Sequence, residues 1–545
     1  MKLRPAVLWD TPCESCTPAQ RGVDRMRLHD FLDLHARDDP DALFAVHGEQ
    51  AMTYQDAAAE ANRLANALLS AGLRTGDRVA YLSRNSIQHV LLYFAGSKAG
   101  VVPVPLNFRL LPSQWAELVN DAGATLLIAA GEYVSAVDAI RDELNPVTRY
   151  VSLDGMTSGW TDYRSWVSGH RASAPATVVK GSDDAYQMYT SGTTGRPKGT
   201  VLTQKAVTAH LTQVALALQG RSRQRTLVVT PLFHAHAAIQ AFVSVYWGGC
   251  VYIQHEFKPT ALVRALSEER IDVAVLVPSM IQACLLTVPD VADRRYDTLR
   301  LIFYGASPIA EHTLRRAIEV FGCDFAQGYG MTETTATLTF LSAAEHRLAL
   351  GDRAELLTSA GRTAVGTELC VVDEHDVPVP PGVTGEIVAR GPTVMRGYWN
   401  RPAETTEALR GGWMHTGDVG RLDADGYLYV LDRIKDMICS GGENIYPRVI
   451  EAVLYTHPAV ADAAVIGVPD EQWGEAVKAL VVVRPGVSTS PQQIIEFCRG
   501  RLAGFQRPRS VELVDALPRN ASGKVLKHVL REPYWSGRSR RVGGA

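Results

Sequence analysis

The sequence predicts an α/β protein: a large N-terminal domain of layered α/β sheets with a small β-rich lobe, then a small α+β C-terminal domain. Three observations carry that prediction. From about residue 27 to 430, apolar strand-like runs alternate with helical periodicity, the pattern of helices packed on buried sheets. After Gly366 the texture changes to short strands with Pro/Gly turns at Pro378–Gly382 and Asp423–Gly426. Near Asp432 a further segment of roughly 110 residues begins, the size of a compact domain. The boundaries that follow are 1–434 and 435–545.

Arg78–Leu82, Val101–Leu106, Thr125–Ala130, Thr226–Thr230, Val251–Gln254, Val273–Pro278 and Leu301–Tyr304 read as strands. Tyr54–Ala71, Lys205–Leu218, Thr260–Glu269 and Glu311–Phe321 read as the helices between them. In the last segment a helix follows Pro447, strands run over Ala463–Val468 and Val477–Val483, a helix over Pro491–Leu502 and a strand over Ser510–Val514. The basic tail Arg538–Arg541 reads as disordered.

Composition excludes several classes. The 58 acidic and 55 basic residues nearly cancel, so no overall field points to nucleic acid or a membrane surface. Lys98 and several glycines and prolines break the most apolar run, Val90–Leu106, short of the ~20 residues of a membrane span. No apolar run follows the N-terminal charges, and the C-terminal Gly-Gly-Ala545 is no sorting or lipidation signal, so the expected location is cytoplasmic. Eight scattered cysteines fit a reducing compartment. Cys13 and Cys16 form a CxxC, but without the second pair of a zinc site.

The densest motif is Tyr189-Thr-Ser-Gly-Thr-Thr-Gly-Arg-Pro-Lys-Gly-Thr200, set between a strand-like segment (Ala185–Tyr189) and a helix-like one (about Ala206–Leu218). Glycines let backbone N–H groups converge on an anion, and the hydroxyls and Lys198 add donors, which suits a polyphosphate. It is not a Walker A loop, because Pro197 and Gly199 flank the lysine where Gly and Ser/Thr are required. In Gln327-Gly-Tyr-Gly-Met-Thr-Glu333-Thr, a carboxylate beside hydroxyls suits Mg²⁺ held against phosphate, and Tyr329 could stack on a base; read alone, it is also a turn carrying a surface Glu. Tyr304-Gly-Ala-Ser307 could line the same base. Asp418 can accept from a ribose diol and Arg433 can donate to sugar or phosphate, although both also read as ordinary turn and surface charges. Lys524, in Pro518-Arg-Asn-Ala-Ser-Gly-Lys524, can reach a site as a mobile point charge or stand on a solvated turn.

Taken in order and spacing, these motifs resemble the adenylate-forming superfamily of acyl-CoA synthetases, adenylation domains and luciferase, over about residue 27 to Arg531. The resemblance implies a mobile C-terminal domain hinged at Lys435, with the active site between the domains. It implies that Thr190, Ser191, Gly192, Thr193, Thr194, Gly195 and Lys198 wrap the ATP phosphates. Gly305, Ala306, Ser307, Gly328, Tyr329 and Gly330 would surround the nucleotide, Asp418 and Arg433 its ribose. Glu333, beside Thr332, would ligate Mg²⁺, and Lys524 would be the adenylation lysine. A cation delivered to the α-phosphate would offset the charge gathered there in the transition state.

The stretch Cys439–Pro447 resembles acyl- and aryl-CoA synthetases, in which Ser440, Gly441 and Gly442 would border the pantetheine arm. Trp473, Phe505, Arg507 and Arg509 would hold the CoA nucleotide; the arginines also read as a solvated turn. Only about 20 residues follow Lys524, so free CoA is expected as acceptor in preference to a fused carrier. Where amino-acid-activating relatives place an Asp, this chain has His234, which disfavours an α-amino acid. His234, Ala235, Ala238, Ile239, Phe242, Tyr304 and Met331 are the expected acyl pocket. His234 and His236 as a metal pair lack further ligands. Gln204 departs from a His that many relatives carry there.

The expected function is an acyl-CoA synthetase: ATP-dependent adenylation of a hydrophobic carboxylic acid, a fatty acid first, then transfer to CoA with release of AMP and pyrophosphate. An alicyclic, terpenoid or aromatic acid is the alternative substrate, and a separate carrier protein the alternative acceptor. A luciferase-like oxygenase and a degenerate nucleotide-binding protein are the competing classes. The partners are small molecules, with neither nucleic acid nor integral membrane contact; pairing as a homodimer is left open.

Overall fold

The computed structural model describes residues 26–190, 197–307, 309–441, 443–519 and 525–536. Two parallel sheets form its bulk. One has five strands in the order Val102–Pro105, Arg78–Leu82, Leu126–Ala129, Arg149–Ser152 and Thr161–Asp162, all parallel. The other has nine, and its six central strands, Asp324–Tyr329, Leu301–Gly305, Val273–Leu276, Arg225–Val228, Cys250–Ile253 and Leu43–His47, run parallel. Parallel strands need helical crossovers, which accounts for the alternation read from the sequence.

The helix Ile87–Ala99 lies between the sheets. It is buried nearly all round, with Val90, Leu91 and Phe94 in one core and Leu92, Ala95 and Ala99 in another. A helix apolar on every face is the expected form for that position. Lys98, the residue that breaks its apolar run, is buried and pairs with Asp33. No helix among the described residues is long and apolar enough to cross a membrane.

The β-rich segment after Gly366 is a four-stranded antiparallel sheet ordered Glu368–Val372, Gly385–Arg390, Met414–Leu422, Leu428–Arg433. From Ile438 onward the strands belong to a separate sheet, built on the long hairpin Val460–Asp470 with Gly474–Val483. The helix Lys527–Trp535 packs against Val460–Asp470.

Two expectations are corrected. The predicted helix Pro491–Leu502 ends at Phe497, because Gly500 adopts φ +76 and turns the chain. The last residues of the phosphate motif are not loop but the start of a strand, Lys198–Thr203, which pairs antiparallel with Asp184–Thr190 as a hairpin before the helix Gln204–Leu218 begins. Lys-Gly-Thr looks like loop in isolation, yet Gly199 is what fits beside Gln187, whose amide would lie 2.5 Å from any Cβ added there.

Candidate active site

A cavity of about 1350 Å³ opens where the carboxyl ends of the nine-stranded sheet meet the hairpin and the antiparallel sheet. Thr190 and Lys198 face each other as the last register pair of the hairpin and both line it. Ser191, Gly192, Thr193, Thr194 and Gly195, between them, lie outside the described residues, as do Gly442, Lys524, the Cys13/Cys16 pair and the basic tail.

Glu333 sits in the short turn Thr332–Thr334, only 5% exposed, with Thr332 beside it on the cavity. Its Oε1 accepts hydrogen bonds from the Thr190 hydroxyl at 3.2 Å and the Tyr398 hydroxyl at 3.0 Å. The Lys198 ammonium stands 5.0 Å from the centre of the Tyr398 ring. Burial and the neighbouring Glu333 carboxylate raise the Tyr398 phenol well above its ordinary value, so it stays protonated and donates. Three separate elements thus converge on one carboxylate, a cluster of hard oxygen donors that fits Mg²⁺.

Asp418 pairs in register with Arg433 on the adjacent strand, Nε to Oδ1 at 2.6 Å. Its Oδ2 accepts from the Tyr329 hydroxyl at 2.8 Å. Arg433 lines the cavity, and Asp418 and Tyr329 stand behind it. Tyr329 is thus tied at its hydroxyl end to the acid expected to bind ribose.

Gly328, Gly330, Met331 and Ala306 also line the cavity, whereas Gly305 and Ser307 do not. Ala306 (φ +67) and Ala336 (φ +138) both hold left-handed backbone at the cavity wall. Such strain persists only where surrounding structure fixes it, and it concentrates at functional sites.

His234 and Ala235 line the cavity at the start of the helix Ala235–Tyr246. Burial, reinforced by Arg109 and His236, pushes the His234 imidazole down to about 4, so it is neutral at pH 7. Ala238, Ile239 and Phe242 do not line the cavity. The helix carries them inward, and Phe242 packs edge-on to Tyr93 and Phe94 at 5.1 and 5.8 Å. Tyr304 is likewise withdrawn: it is fully buried, and its hydroxyl pairs with His346 Nε2 at 2.9 Å. With those four withdrawn, the cavity wall joins the expected His234, Ala235 and Met331 to His236, which the sequence analysis weighed only as a metal ligand, and to Val277, Met280 and Ala336, which it did not name. Tyr398 was missed as well; its only signal was the aromatic run Gly-Tyr-Trp399.

The residues expected to hold CoA lie apart from the cavity. Gly441 adopts φ +61 and its N–H donates to the Trp473 carbonyl at 2.9 Å. Ser440 pairs in register with Gly474. The Arg509 guanidinium stands 5.1 Å from the Trp473 ring centre, a cation–π distance. Phe505 is exposed, and Arg507 lies beside Gly504 on the same turn.

Lys435, the expected hinge, lines the cavity in the turn Ile434–Asp436, and burial lowers its ammonium pKa. The C-terminal helix reaches this turn: Arg531 pairs with Asp436 and donates to the Lys435 carbonyl at 3.3 Å. Gln204 is fully buried behind the hairpin, its Oε1 accepting from Leu28 N–H at 3.0 Å and Ser97 Oγ at 2.9 Å.

Residues 32–399 match the model of the AMP-binding enzyme family, and 449–524 that of the AMP-binding enzyme C-terminal domain. The chain belongs to the AMP-binding enzyme family. This AMP-binding enzyme is 40% identical to a feruloyl-CoA synthase of Amycolatopsis sp over 501 residues, 92% of this chain and 97% of that protein. It is 36% identical to the long-chain-fatty-acid–CoA ligase FadD13 of Mycobacterium tuberculosis over 486 residues, 89% of this chain and 93% of that one. The anthranilate CoA ligase AuaEII, solved with anthranoyl-AMP, superimposes with a TM-score of 0.87 at 26% identity, covering 94% of this chain and 97% of that one. The fold is accordingly that of a large N-terminal and a small C-terminal domain. By type the enzyme is an acyl-CoA synthetase, an AMP-forming acid–thiol ligase using ATP and CoA.

Proposed function

We propose that this AMP-binding enzyme activates a hydrophobic monocarboxylic acid, fatty or aromatic, and transfers it to free CoA. The carrying observation is that one cavity joins the polar cluster Thr190, Lys198, Glu333 and Arg433 to an apolar wall that begins at His234. In this reading a substrate carboxylate oxygen attacks the α-phosphorus of ATP. The bond from that phosphorus to the bridging oxygen breaks, and pyrophosphate leaves. The CoA thiolate then attacks the acyl carbon, and AMP leaves with the bonding electrons.

Each residue has a defined part in the proposal. Lys198 and the hairpin hold the phosphates, Arg433 and Asp418 fix the sugar, and neutral His234 borders the carboxylate without repelling or over-binding it. Glu333, with the Thr190 hydroxyl at hand, would hold Mg²⁺, which when bound offsets charge on the pyrophosphate oxygens. Lys524 supplies the positive charge at the α-phosphate. Rotation at Lys435 withdraws Lys524 and presents the Gly441–Trp473 face for the thioester step, with domains divided at 434/435. Scattered cysteines and the use of ATP and CoA support a cytoplasmic setting.

The test is a pyrophosphate-release assay over fatty, aryl and polycyclic acids, with AMP and acyl-CoA identified by mass spectrometry. Acid-dependent formation of both products is expected. Pyrophosphate release without acyl-CoA would redirect the second step to another acceptor, and no release with any acid would defeat the reading.

A further inference from the structure

Both hydroxyls that reach Glu333 belong to segments fastened, one residue away, to a single aspartate on another part of the fold. Asp121 is the second-last residue of the helix Pro112–Ala122, whose Trp115, Leu118, Val119 and Ala122 share a core with Ala80 and Leu127 of the five-stranded sheet. Its Oδ2 accepts from the Tyr189 hydroxyl at 2.7 Å and its Oδ1 from Arg401 Nη2 at 2.6 Å. Its main-chain carbonyl accepts from Trp399 Nε1 at 3.1 Å. Tyr189 precedes Thr190 in the strand Asp184–Thr190, and Trp399 follows the strand Gly397–Tyr398. Thr190 and Tyr398 are the two hydroxyl donors to Glu333 Oε1.

Successive side chains of a strand leave opposite faces, so Tyr189 is held on one side while Thr190 projects from the other. Fastening Tyr189 therefore fixes the backbone that carries Thr190 without crowding Glu333. The Tyr189 hydroxyl also accepts from Gln187 Nε2 at 3.2 Å, which commits its own proton to Asp121. Burial, then Asp121 itself, raises the Tyr189 phenol above its ordinary value and keeps that donor in place at neutral pH. The position of Asp121 argues the same way. A carboxylate in the last turn of a helix opposes the helix dipole, so local helix chemistry gives no reason for one there. Arg401, 280 positions along the chain, supplies the counter-charge, and the Asp121 side chain is only 17% exposed.

We infer that Asp121 is a positioning residue for Mg²⁺-dependent binding of the nucleotide: it ties the hairpin to the segment 397–401 so that the Thr190 and Tyr398 hydroxyls close on Glu333. Asp121 acts through those two donors and touches neither the nucleotide nor the metal. The inference rests on the reading of Glu333 above as the acid that would hold Mg²⁺. Groups that orient a metal-holding residue from behind carry about 10- to 100-fold in metal affinity. The effect therefore belongs to the part of ATP binding that needs Mg²⁺, and recognition of the acid is left alone.

The experiment measures ATP binding to the full chain by calorimetry, without acid, once in Mg²⁺ and once in EDTA. Asp121→Asn is expected to weaken binding by about tenfold or more in Mg²⁺ and by less than about twofold in EDTA. Arg401→Gln changes a partly exposed partner of the same carboxylate, should shift binding the same way, and stands in where Asp121→Asn does not fold. Combined with Tyr398→Phe, Asp121→Asn should cost clearly less than the product of the two separate losses, because both act on Glu333. Unchanged binding in both variants, equal weakening with and without Mg²⁺, or fully multiplicative losses would overturn the inference and leave the reading of Glu333 in place. ATP binding by the intact enzyme that is indifferent to Mg²⁺ would overturn both.

Discussion

The Tyr398 hydroxyl donates to the Glu333 carboxylate across 3.0 Å, joining residues 65 positions apart at the mouth of the phosphate hairpin. Without it, Thr190 would be the remaining side-chain donor to this buried carboxylate among the described residues. Tyr398→Phe removes a hydrogen bond to a charged group, a loss of about 1.5–3 kcal/mol. Pyrophosphate release should fall by at least about tenfold, with a higher Mg²⁺ concentration needed for half-maximal rate. A titration of initial rate against Mg²⁺ checks this, and an unchanged titration would separate Tyr398 from the metal site.

Asp418 holds Arg433 at 2.6 Å and receives Tyr329 at 2.8 Å. Asp418→Asn keeps the shape and removes the charge, leaving Arg433 facing the cavity without its counter-ion. The KM for ATP should rise by about 10- to 100-fold, more than kcat falls, because the lost contact serves ground state and transition state alike. Steady-state kinetics at varied ATP decide it.

Gly441 combines a left-handed backbone (φ +61) with a close approach to Trp473, whose Cε3 would lie 2.5 Å from an added Cβ. Gly441→Ala therefore strains the backbone and displaces the indole. Thioester formation is expected to drop by about 5- to 30-fold, on the ~1–2 kcal/mol cost of left-handed backbone, with pyrophosphate release little affected. Equal loss of both steps would show that Gly441 serves the whole fold and not the CoA face.

Lys524→Ala tests the proposed rotation. Adenylate formation should fall by about 100-fold or more, on the scale of a single transition-state charge contact. Conversion of supplied acyl-adenylate to thioester should persist, and equal loss of the two half-reactions would remove domain alternation from the mechanism.

Several histidines are buried in neutral form: burial pushes His89 down to about 3, and His210, His236 and His346 to about 4. Unfolded, each titrates near 6.5. Between pH 6.5 and 4 the unfolded chain therefore binds more protons than the folded one, and stability rises with pH across that window. Melting temperature should drop steeply on acidification below pH 6.5. His210→Gln should flatten the fall, and a melting temperature constant from pH 7 to 4.5 would contradict the burial.

The helix Glu311–Phe321 and the strand Arg78–Leu82 were legible because their apolar spacing matches one period and they sit in well-packed cores. The strand Lys198–Thr203 was not, since its first residues are those of a loop and only pairing with Asp184–Thr190 makes them extended. Part of the expected acyl pocket lies off the cavity for a related reason. Ala238, Ile239 and Phe242 neighbour His234 in sequence, but each turn of helix moves them about 5.4 Å farther along the axis, away from the cavity and into the core. Tyr398 carried only the aromatic run Gly-Tyr-Trp399 as a local mark, because its role exists only opposite Glu333.

By itself the sequence determined the kinds of chemistry present and their order: a donor-rich glycine loop, a Thr-Glu turn, a Thr-Gly-Asp turn with an Arg to follow, and a late lysine. Those are properties of short stretches, set by residue type and spacing. Only the tertiary structure decided which side chains meet. Register pairing put Asp418 opposite Arg433, the crossing of three elements put Thr190 and Tyr398 on Glu333, and the direction of one helix chose His236 over Phe242 for the cavity wall. Such contacts depend on how distant segments pack, and no local pattern encodes that.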